Sequence, residues 1–493
     1  MDTRTAPFTQ TGLMDFRAYL QELERQQQIV RIDDEIDGQE EAGAIMRWAN
    51  ENLAPAQWFT RIRGSMPGSS LIGGLYSTKE RLAIAFGLPA DISYREFTDF
   101  YASAMTRRLE PVVVEQGSCQ DNVLLGDDID LFRLPVPKLH PQDGNPYIGT
   151  LNIGVCRDYD SDWVNWGTYR GMVHDRKSTG LWLGPLNQGG QILRRYREND
   201  RVMEYAMFFG GDPMHNVVAS SGIPPGVSEV EMVGGVRGEP VRLVKCRTVD
   251  LHVPENAEIV LEGTVSPGDE KLEGPFGEYP GYVVSGQNQR PVFRLSALTY
   301  RNDPILPATC LGVPVDESVM WIIEVAASVK EALRAKGVPI ADVSVPLFSG
   351  CHAVVVSTRT PVAGIPQMIG NIVWSDRNAS YFPYLIVVND DIDPWNLGEV
   401  FHAMCTKCNP VKDIHVYPGA INSPLTPYIS NEPLREKGAG GGNVLFDCTW
   451  PIDWPAEKIP HRLAFSATYS EAVRRKVLDN IARWGLDRKV SGT

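Results

Sequence analysis

The chain lacks the features that would place it in several broad classes. Its 493 residues contain no uncharged apolar run of 18, so no segment reads as a membrane-spanning helix. No basic cluster interrupts a net charge of −14, which excludes the phosphate-backbone electrostatics of a nucleic-acid binder but leaves room for a local pocket that draws a small anion. Cysteine is scarce, with eight scattered copies, a usage that fits reduced thiols and not a disulfide framework. The lone CxxC, Cys405–Cys408, has no second pair at zinc spacing, and its plainest reading is a helix end with two ordinary thiols. The opening residues Met1–Ala6 have no signal-peptide core, and no internal repeat is visible. The expectation is a cytoplasmic protein with neither nucleic-acid nor membrane partners.

What is present is ordinary globular composition, 43% hydrophobic and 22% charged, on a chain long enough for two to four domains. The first hundred residues mix helix and strand. Asp15 can cap a helix carrying Phe16, Leu20 and Leu23 on one side. Ile29–Ile32 reads as a strand, 40–50 as a helix, and 94–108 as a further helix ending before Pro111–Val114. From 115 to 310 short strand-like runs dominate, among them 150–155, 202–209, 241–246, 258–262 and 292–298, a pattern of antiparallel sheet or barrel. From 318 helices and strands alternate: a helix over 318–336, buried parallel strands at 353–357 and 384–388, and a helix from Pro394 to Cys408. Gly438–Gly442 forms a flexible loop before another strand, and the tail past Leu486 is polar and loose. The fold class is α+β.

The densest chemistry lies in Glu273-Gly-Pro-Phe-Gly-Glu278-Tyr-Pro-Gly-Tyr282. Two carboxylates stand five residues apart, the wrong spacing for one helix face or one strand face. Gly274-Pro275 and Pro280-Gly281 break both periods and force a shaped loop. Such a loop is either a solvated turn or an acid/base site. A second segment, Trp163–Arg176, is strand-like and aromatic-rich and offers Asn165, Arg170 and His174. An arginine beside two glutamates holds one ionised and can leave the other as a proton donor.

With these residues in view, the chain resembles the UbiD-like decarboxylases that use prenylated FMN. The resemblance rests on Asn165-Trp166 with Arg170, on Glu229 in Val-Ser-Glu-Val-Glu-Met-Val-Gly-Gly235, and on Glu273–Glu278, in that order and at intervals that fit the ferulate decarboxylase branch. It implies an N-terminal α/β part (1–114), a split β-barrel binding the flavin (115–312), a linker (313–317), a C-terminal α/β oligomerisation domain (318–470), and a closing helix and tail (471–493).

The implied activity is a non-oxidative, potentially reversible decarboxylation of an aromatic, heteroaromatic or α,β-unsaturated acid. Losing carbon dioxide leaves charge on an sp² carbon that side chains cannot delocalise, so an electron sink is required. In the resemblance Glu278 is the proton donor, Arg170 orients the carboxylates and the substrate, and Glu273 pairs with Arg170. Cofactor contacts fall on Asn165, Trp166, Gly167, Thr168, Tyr169, Arg170, Asn187 and Glu229. A divalent ion, manganese or magnesium, would be held by Asn165, Asn187 and Glu229, with potassium nearby. Asn187 stands where many members carry histidine, and an all-oxygen set should hold transition ions less tightly; His174 is the alternative ligand. Asn443 stands where many members place a phosphate-contacting base, with Lys437 or Arg435 as replacements. Cavity walls are expected around Gly312–Ser318, Met320, Trp321 and Phe446. The implied partners are a small aromatic acid, a flavin prenyltransferase that supplies the cofactor, and further copies of the chain in a homodimer or larger oligomer. A flavin-independent metal-dependent lyase or hydrolase, and a non-catalytic flavin-binding protein, are the competing readings.

Overall fold

The computed structural model describes residues 15–284, 286–432, 434–437 and 439–486; the chain start, Gly438 of the glycine loop and the tail past Leu486 lie outside them. Asp15 caps the helix Phe16–Arg25 by accepting from the N–H groups of Arg17 and Ala18, and Phe16, Tyr19, Leu20 and Leu23 enter the core. The strand Ile29–Ile32 and the helix Glu41–Glu51 follow as the pattern predicts. Helix Tyr94–Ala104 opens with a capping box between Ser93 and Glu96 but stops short of the expected Arg108. The chain there turns to dock on the helix Glu229–Arg237. The Leu109 N–H donates to the Glu231 carbonyl, and the Arg107 carbonyl occupies the space a side chain at Gly235 would need.

Among the described residues the strands assemble into four sheets. The N-terminal sheet has the order Ile29–Ile32, Ala56–Phe59, Ser70–Gly73, Ile305–Pro307. Its last strand comes from far along the chain, parallel to Ser70–Gly73, so the middle segment leaves and returns to this layer.

The middle segment forms an antiparallel sheet in the order Tyr147–Gly149, Gly171–Asp175, Ser178–Leu181, Asn288–Tyr300, Ala257–Glu273, Met203–Gly210, Ile153–Arg157, Val164–Gly167. The two ends of that order are not bonded to each other, so the sheet curls without closing, as a split barrel does. At the strand Met203–Gly210 both of its faces are buried. Tyr205, Met207 and Phe209 of that strand point into one core, and Ala206 and Phe208 into another, which is why Tyr205–Phe209 reads as an unbroken apolar run. The connection from Val164–Gly167 at one edge to Gly171–Asp175 beside the other is Thr168-Tyr169-Arg170. It spans from one edge of the sheet to beside the other, and Trp166–Arg170 line a cavity.

The C-terminal sheet has the order Ile340–Ser344, Ala353–Thr358, Tyr384–Asn389, Gly442–Cys448, Ile414–Pro418, with Ala353–Thr358 and Tyr384–Asn389 parallel. Helix Val319–Ala335 joins it to the rest. Its Lys330, buried, bridges Asp99 of the N-terminal part at 2.8 Å and Asp342 of the C-terminal sheet at 2.7 Å. Helix Leu397–Lys407 begins three residues after Pro394, because the Asn396 side chain caps it by accepting from the Glu399 N–H. Cys405 lies exposed on this helix and Cys408, buried, at its end. No helix of the described residues is long and apolar enough to cross a membrane.

Candidate active site

Glu273 is the last residue of its strand. The chain then turns through Gly274 at φ +94° and Gly281 at φ +89°, left-handed conformations that favour glycine. The loop closes on itself: the Glu278 N–H donates to the Tyr282 carbonyl and the Gly281 N–H to the Glu278 carbonyl. The result is that two carboxylates too far apart for one helix or strand face meet a single guanidinium. Arg170 donates from Nε to Glu273 Oε1 at 2.9 Å and from Nη2 to Oε2 at 2.7 Å, and from Nη1 to Glu278 Oε1. Both carboxylates are buried, Glu273 0% and Glu278 5% exposed, and the Arg170 side chain is 9% exposed. Tyr147 adds a third donor to Glu273, O–H to Oε1 at 2.8 Å, and the guanidinium faces the rings of Phe276 and Trp182 at 5.2 and 5.8 Å.

The two acids are therefore not equivalent. Glu273 is held by three hydrogen bonds, two of them a planar fork that suits a carboxylate. Glu278 has one side-chain partner and forms part of a cavity wall. Burial pushes its carboxyl up to about 7; Arg170 opposes this, while the charges of Glu273 and Asp143 add to it. A carboxyl poised there can hold a proton near neutral pH and deliver it.

The cavity that Arg170 and Glu278 share has a volume of about 600 Å³. Around these two residues its wall includes Trp182, Phe276, Tyr279, Leu311 and Trp321, an apolar aromatic surface of the kind that seats a ring. Of the expected walls, Glu317, Ser318, Met320 and Trp321 line it. Phe446 does not: it lies in the C-terminal sheet, paired with Ile386 and Ile414, and packs on a separate core. The expected linker is tied in place, since Asp316 accepts from the N–H groups of Gly312 and Ser318 and Glu317 accepts from the Gly74 N–H.

Trp166, Gly167, Thr168, Tyr169, Asn187 and Gln188 line the same cavity, and Asn165 and Glu229 are buried next to this stretch. Asn165 Nδ2 donates to Gln188 Oε1 at 3.0 Å and to Glu229 Oε1 at 3.1 Å. The Trp166 N–H donates to Glu229 Oε2 at 3.1 Å, and Tyr169 O–H to Asn165 Oδ1 at 2.7 Å. Asn187 stands apart from this cluster. Its side chain caps the helix Gln188–Glu198 by accepting from the Gly190 N–H at 2.8 Å, and the neighbouring Gln188 meets Asn165 in its place. Asparagine is a preferred helix cap, so this role was readable in the sequence. His174 is also elsewhere, packed against Gly180 next to Glu273.

Burial pushes the Glu229 carboxyl up to about 7. No ion pair to it forms among the described residues; Arg377 lowers it only through longer-range charge. A buried carboxyl without a counter-ion, bonded to the Asn165 carboxamide that Gln188 meets in turn, is a donor set that fits a hard cation. Arg377 lines the cavity, as do Ser220, Ser221 and Gly222. Asn443 does not; it lies in a strand and bonds to Asn422. Arg435 reaches the carbonyls of Val284 and Ser430, and Lys437 is exposed. The cavity's second arginine is thus Arg377, which no sequence pattern singled out.

Three comparisons bear on this geometry. The N-terminal, Rift-related and C-terminal domains of the 3-octaprenyl-4-hydroxybenzoate carboxy-lyase (UbiD) family match residues 20–101, 111–314 and 318–448. A pyrrole-2-carboxylic acid decarboxylase of Pseudomonas aeruginosa is 33% identical over 96% of this chain and 98% of its own. Ferulic acid decarboxylase 1 of Saccharomyces cerevisiae is 32% identical over 96% and 98%. Among solved structures, the UbiD-class enzyme HmfF from Pelotomaculum thermopropionicum in complex with FMN superposes with a TM-score of 0.80 at 25% identity, covering 91% of this chain and 97% of that one.

Proposed function

This chain belongs to the UbiD family of carboxy-lyases, and from that premise we propose that it decarboxylates a small aromatic, heteroaromatic or α,β-unsaturated acid without oxidation, with Glu278 as proton donor. The observation that carries the reading is Arg170 holding the buried Glu273 in a fork and Glu278 by one contact, at the wall of an aromatic cavity. Prenylated FMN, when bound, supplies the electron sink that the departing carboxyl group requires. The protein does the rest. Arg170 orients Glu278 and attracts the substrate carboxylate. Trp182, Phe276 and Trp321 seat the ring and exclude water. Glu278 carries a proton to the carbon that carbon dioxide leaves. The two relatives named above act on ring-bearing acids according to their names, which supports this substrate class.

The other end of the cavity suits the cofactor phosphate. Asn165, Gln188 and Glu229 would hold a manganese or magnesium ion, with potassium nearby, and Arg377 would neutralise the phosphate. A flavin prenyltransferase would supply the cofactor. Large apolar side chains exposed past residue 460, including Leu463, Tyr469, Leu478 and Trp484, support a homo-oligomer.

The test is a screen of aromatic acids for carbon dioxide release by protein reconstituted with prenylated FMN and by flavin-free protein. Release is expected from the first alone. Full activity in flavin-free protein would overturn the reading.

The metal site has its own test. Glu229→Ala should release both metal and flavin, and Gln188→Ala should lower metal retention. Asn187→Ala should cost only a helix cap, about 1 kcal/mol of stability, and leave the metal in place. Elemental analysis after dialysis decides between them: a stoichiometric ion surviving in Gln188→Ala but lost from Asn187→Ala would return the ligand to Asn187.

A further inference from the structure

We propose that Asp143 is a positioning residue for Glu278: it anchors the acid's loop by one hydrogen bond and places a negative charge behind it. The inference rests on Glu278 being the proton donor.

The turn His140–Gly144 lies against the loop Gly274–Gly277 along a seam of glycines. The Gly277 N–H donates to Asp143 Oδ1 at 3.0 Å, and the Gly144 N–H donates to the Pro275 carbonyl at 2.9 Å. The seam admits no side chains: a Cβ on Gly144 would meet the Gly274 carbonyl oxygen at 2.1 Å, and one on Gly277 the His140 ring at 2.6 Å. Gly277 is the residue before Glu278, so the bond to Asp143 holds the backbone from which the acid projects.

The anchor is itself buried and braced. The Asp143 side chain is 0% exposed. Its Oδ2 accepts from the His140 N–H at 2.9 Å, and His140 Nδ1 lies 3.5 Å away, an ion-pair distance. Burial favours the neutral ring, and the neighbouring Asp143 and Cys310 oppose it, raising His140 to about 10. Its Nε2 lies 3.5 Å from Cys310 Sγ, between Thr309 and Leu311 of the cavity wall. Asp143, His140 and Cys310 do not themselves line the cavity, so they act on the chemistry only through the loop and through charge.

The charge has a definite sign at the acid. The ionisable groups acting on Glu278 are Arg170, which favours the carboxylate, and Glu273 and Asp143, which favour the protonated form. Tyr147, bonded to Glu273, completes the set on that side. Removing the charge of Asp143 while keeping its shape therefore makes Glu278 give up its proton at lower pH.

Asp143→Asn and Asp143→Ala, each reconstituted with prenylated FMN, separate the anchor from the charge. Asparagine keeps an oxygen for the Gly277 N–H, while the bond from the His140 backbone N–H is lost in both variants. In Asp143→Asn the alkaline limb of the kcat–pH profile is expected to move down by about 1 pH unit. In Asp143→Ala the loop loses its anchor and kcat should fall at least about tenfold below that of the asparagine variant, because a misplacement of an ångström can cost on the order of 10²-fold. KM should change little, since Asp143 does not touch the substrate cavity. An alkaline limb unmoved in Asp143→Asn, or a kcat equal in the two variants, overturns the inference if Glu278→Gln is inactive in the same assay. A Glu278→Gln that turns over places the failure with the acid itself.

Discussion

Glu278→Gln is expected to lose roughly 10²–10⁴-fold in turnover, the usual contribution of a general acid, while its flavin absorbance stays that of the wild type. The amide is nearly isosteric and can still accept from Arg170 Nη1, so the cavity keeps its shape; what disappears is the transferable proton. The two readouts must be taken together. Loss of rate with loss of flavin would indicate a collapsed cavity, whereas loss of rate alone isolates proton delivery. Wild-type turnover should also fall as pH rises through about 7, because burial holds the Glu278 proton to that point and the donor form is the protonated one. The glutamine variant should lack that limb. A Glu278→Gln enzyme keeping more than about a tenth of the wild-type rate would show that another group is the acid.

Arg170→Ala is expected to do more damage. Arg170 is the shared partner of Glu273, which has no exposed surface, and of Glu278. Removing it leaves two carboxyl groups buried without their counter-charge, and breaking a buried ion pair in this way costs about 3–5 kcal/mol. It also removes the group that attracts the substrate carboxylate. The variant should therefore lose turnover, retain less flavin and unfold at a lower temperature. Arg170→Lys is the informative companion. A single ammonium cannot reproduce the fork to Glu273 and reach Glu278 at once, so lysine should recover part of the stability and little of the rate. Thermal unfolding, flavin absorbance and turnover measured on both variants check this. An Arg170→Ala protein that melts with the wild type and keeps its flavin would mean the ion cluster contributes nothing.

Much of the fold was legible from local chemistry. Asp15 and the spacing of Phe16, Leu20 and Leu23 sufficed for the first helix, and the apolar runs at 353–357 and 384–388 for a buried parallel pair, because capping and burial periodicity act over a few residues. Boundaries went astray where a distant contact intervened. Helix Tyr94–Ala104 ends early because the chain docks on Gly235, and the later helix begins at Leu397 because Asn396, not Pro394, caps it. The acid pair was legible for a similar reason: glycine and proline around Glu273 and Glu278 announce a shaped loop, and Arg170 stands in the segment that bridges the split barrel.

The sequence by itself determined which chemical groups are available: two carboxylates in a shaped loop, an arginine, asparagines and a further glutamate, and few cysteines. Only the tertiary structure decided which of them meet. Asn187 and Gln188 are adjacent and chemically alike, yet a helix begins between them, so one side chain is spent on the helix end and the other meets Asn165. Arg377, and not a residue near Asn443, reaches the cavity, because the strand carrying Asn443 pairs inside the C-terminal sheet. Asp143 and Gly277 are 134 residues apart in the chain, yet the carboxylate of one accepts from the N–H of the other at 3.0 Å. Hydrogen bonds and charges act over a few ångströms, and chain separation carries no information about that distance until the sheets have closed.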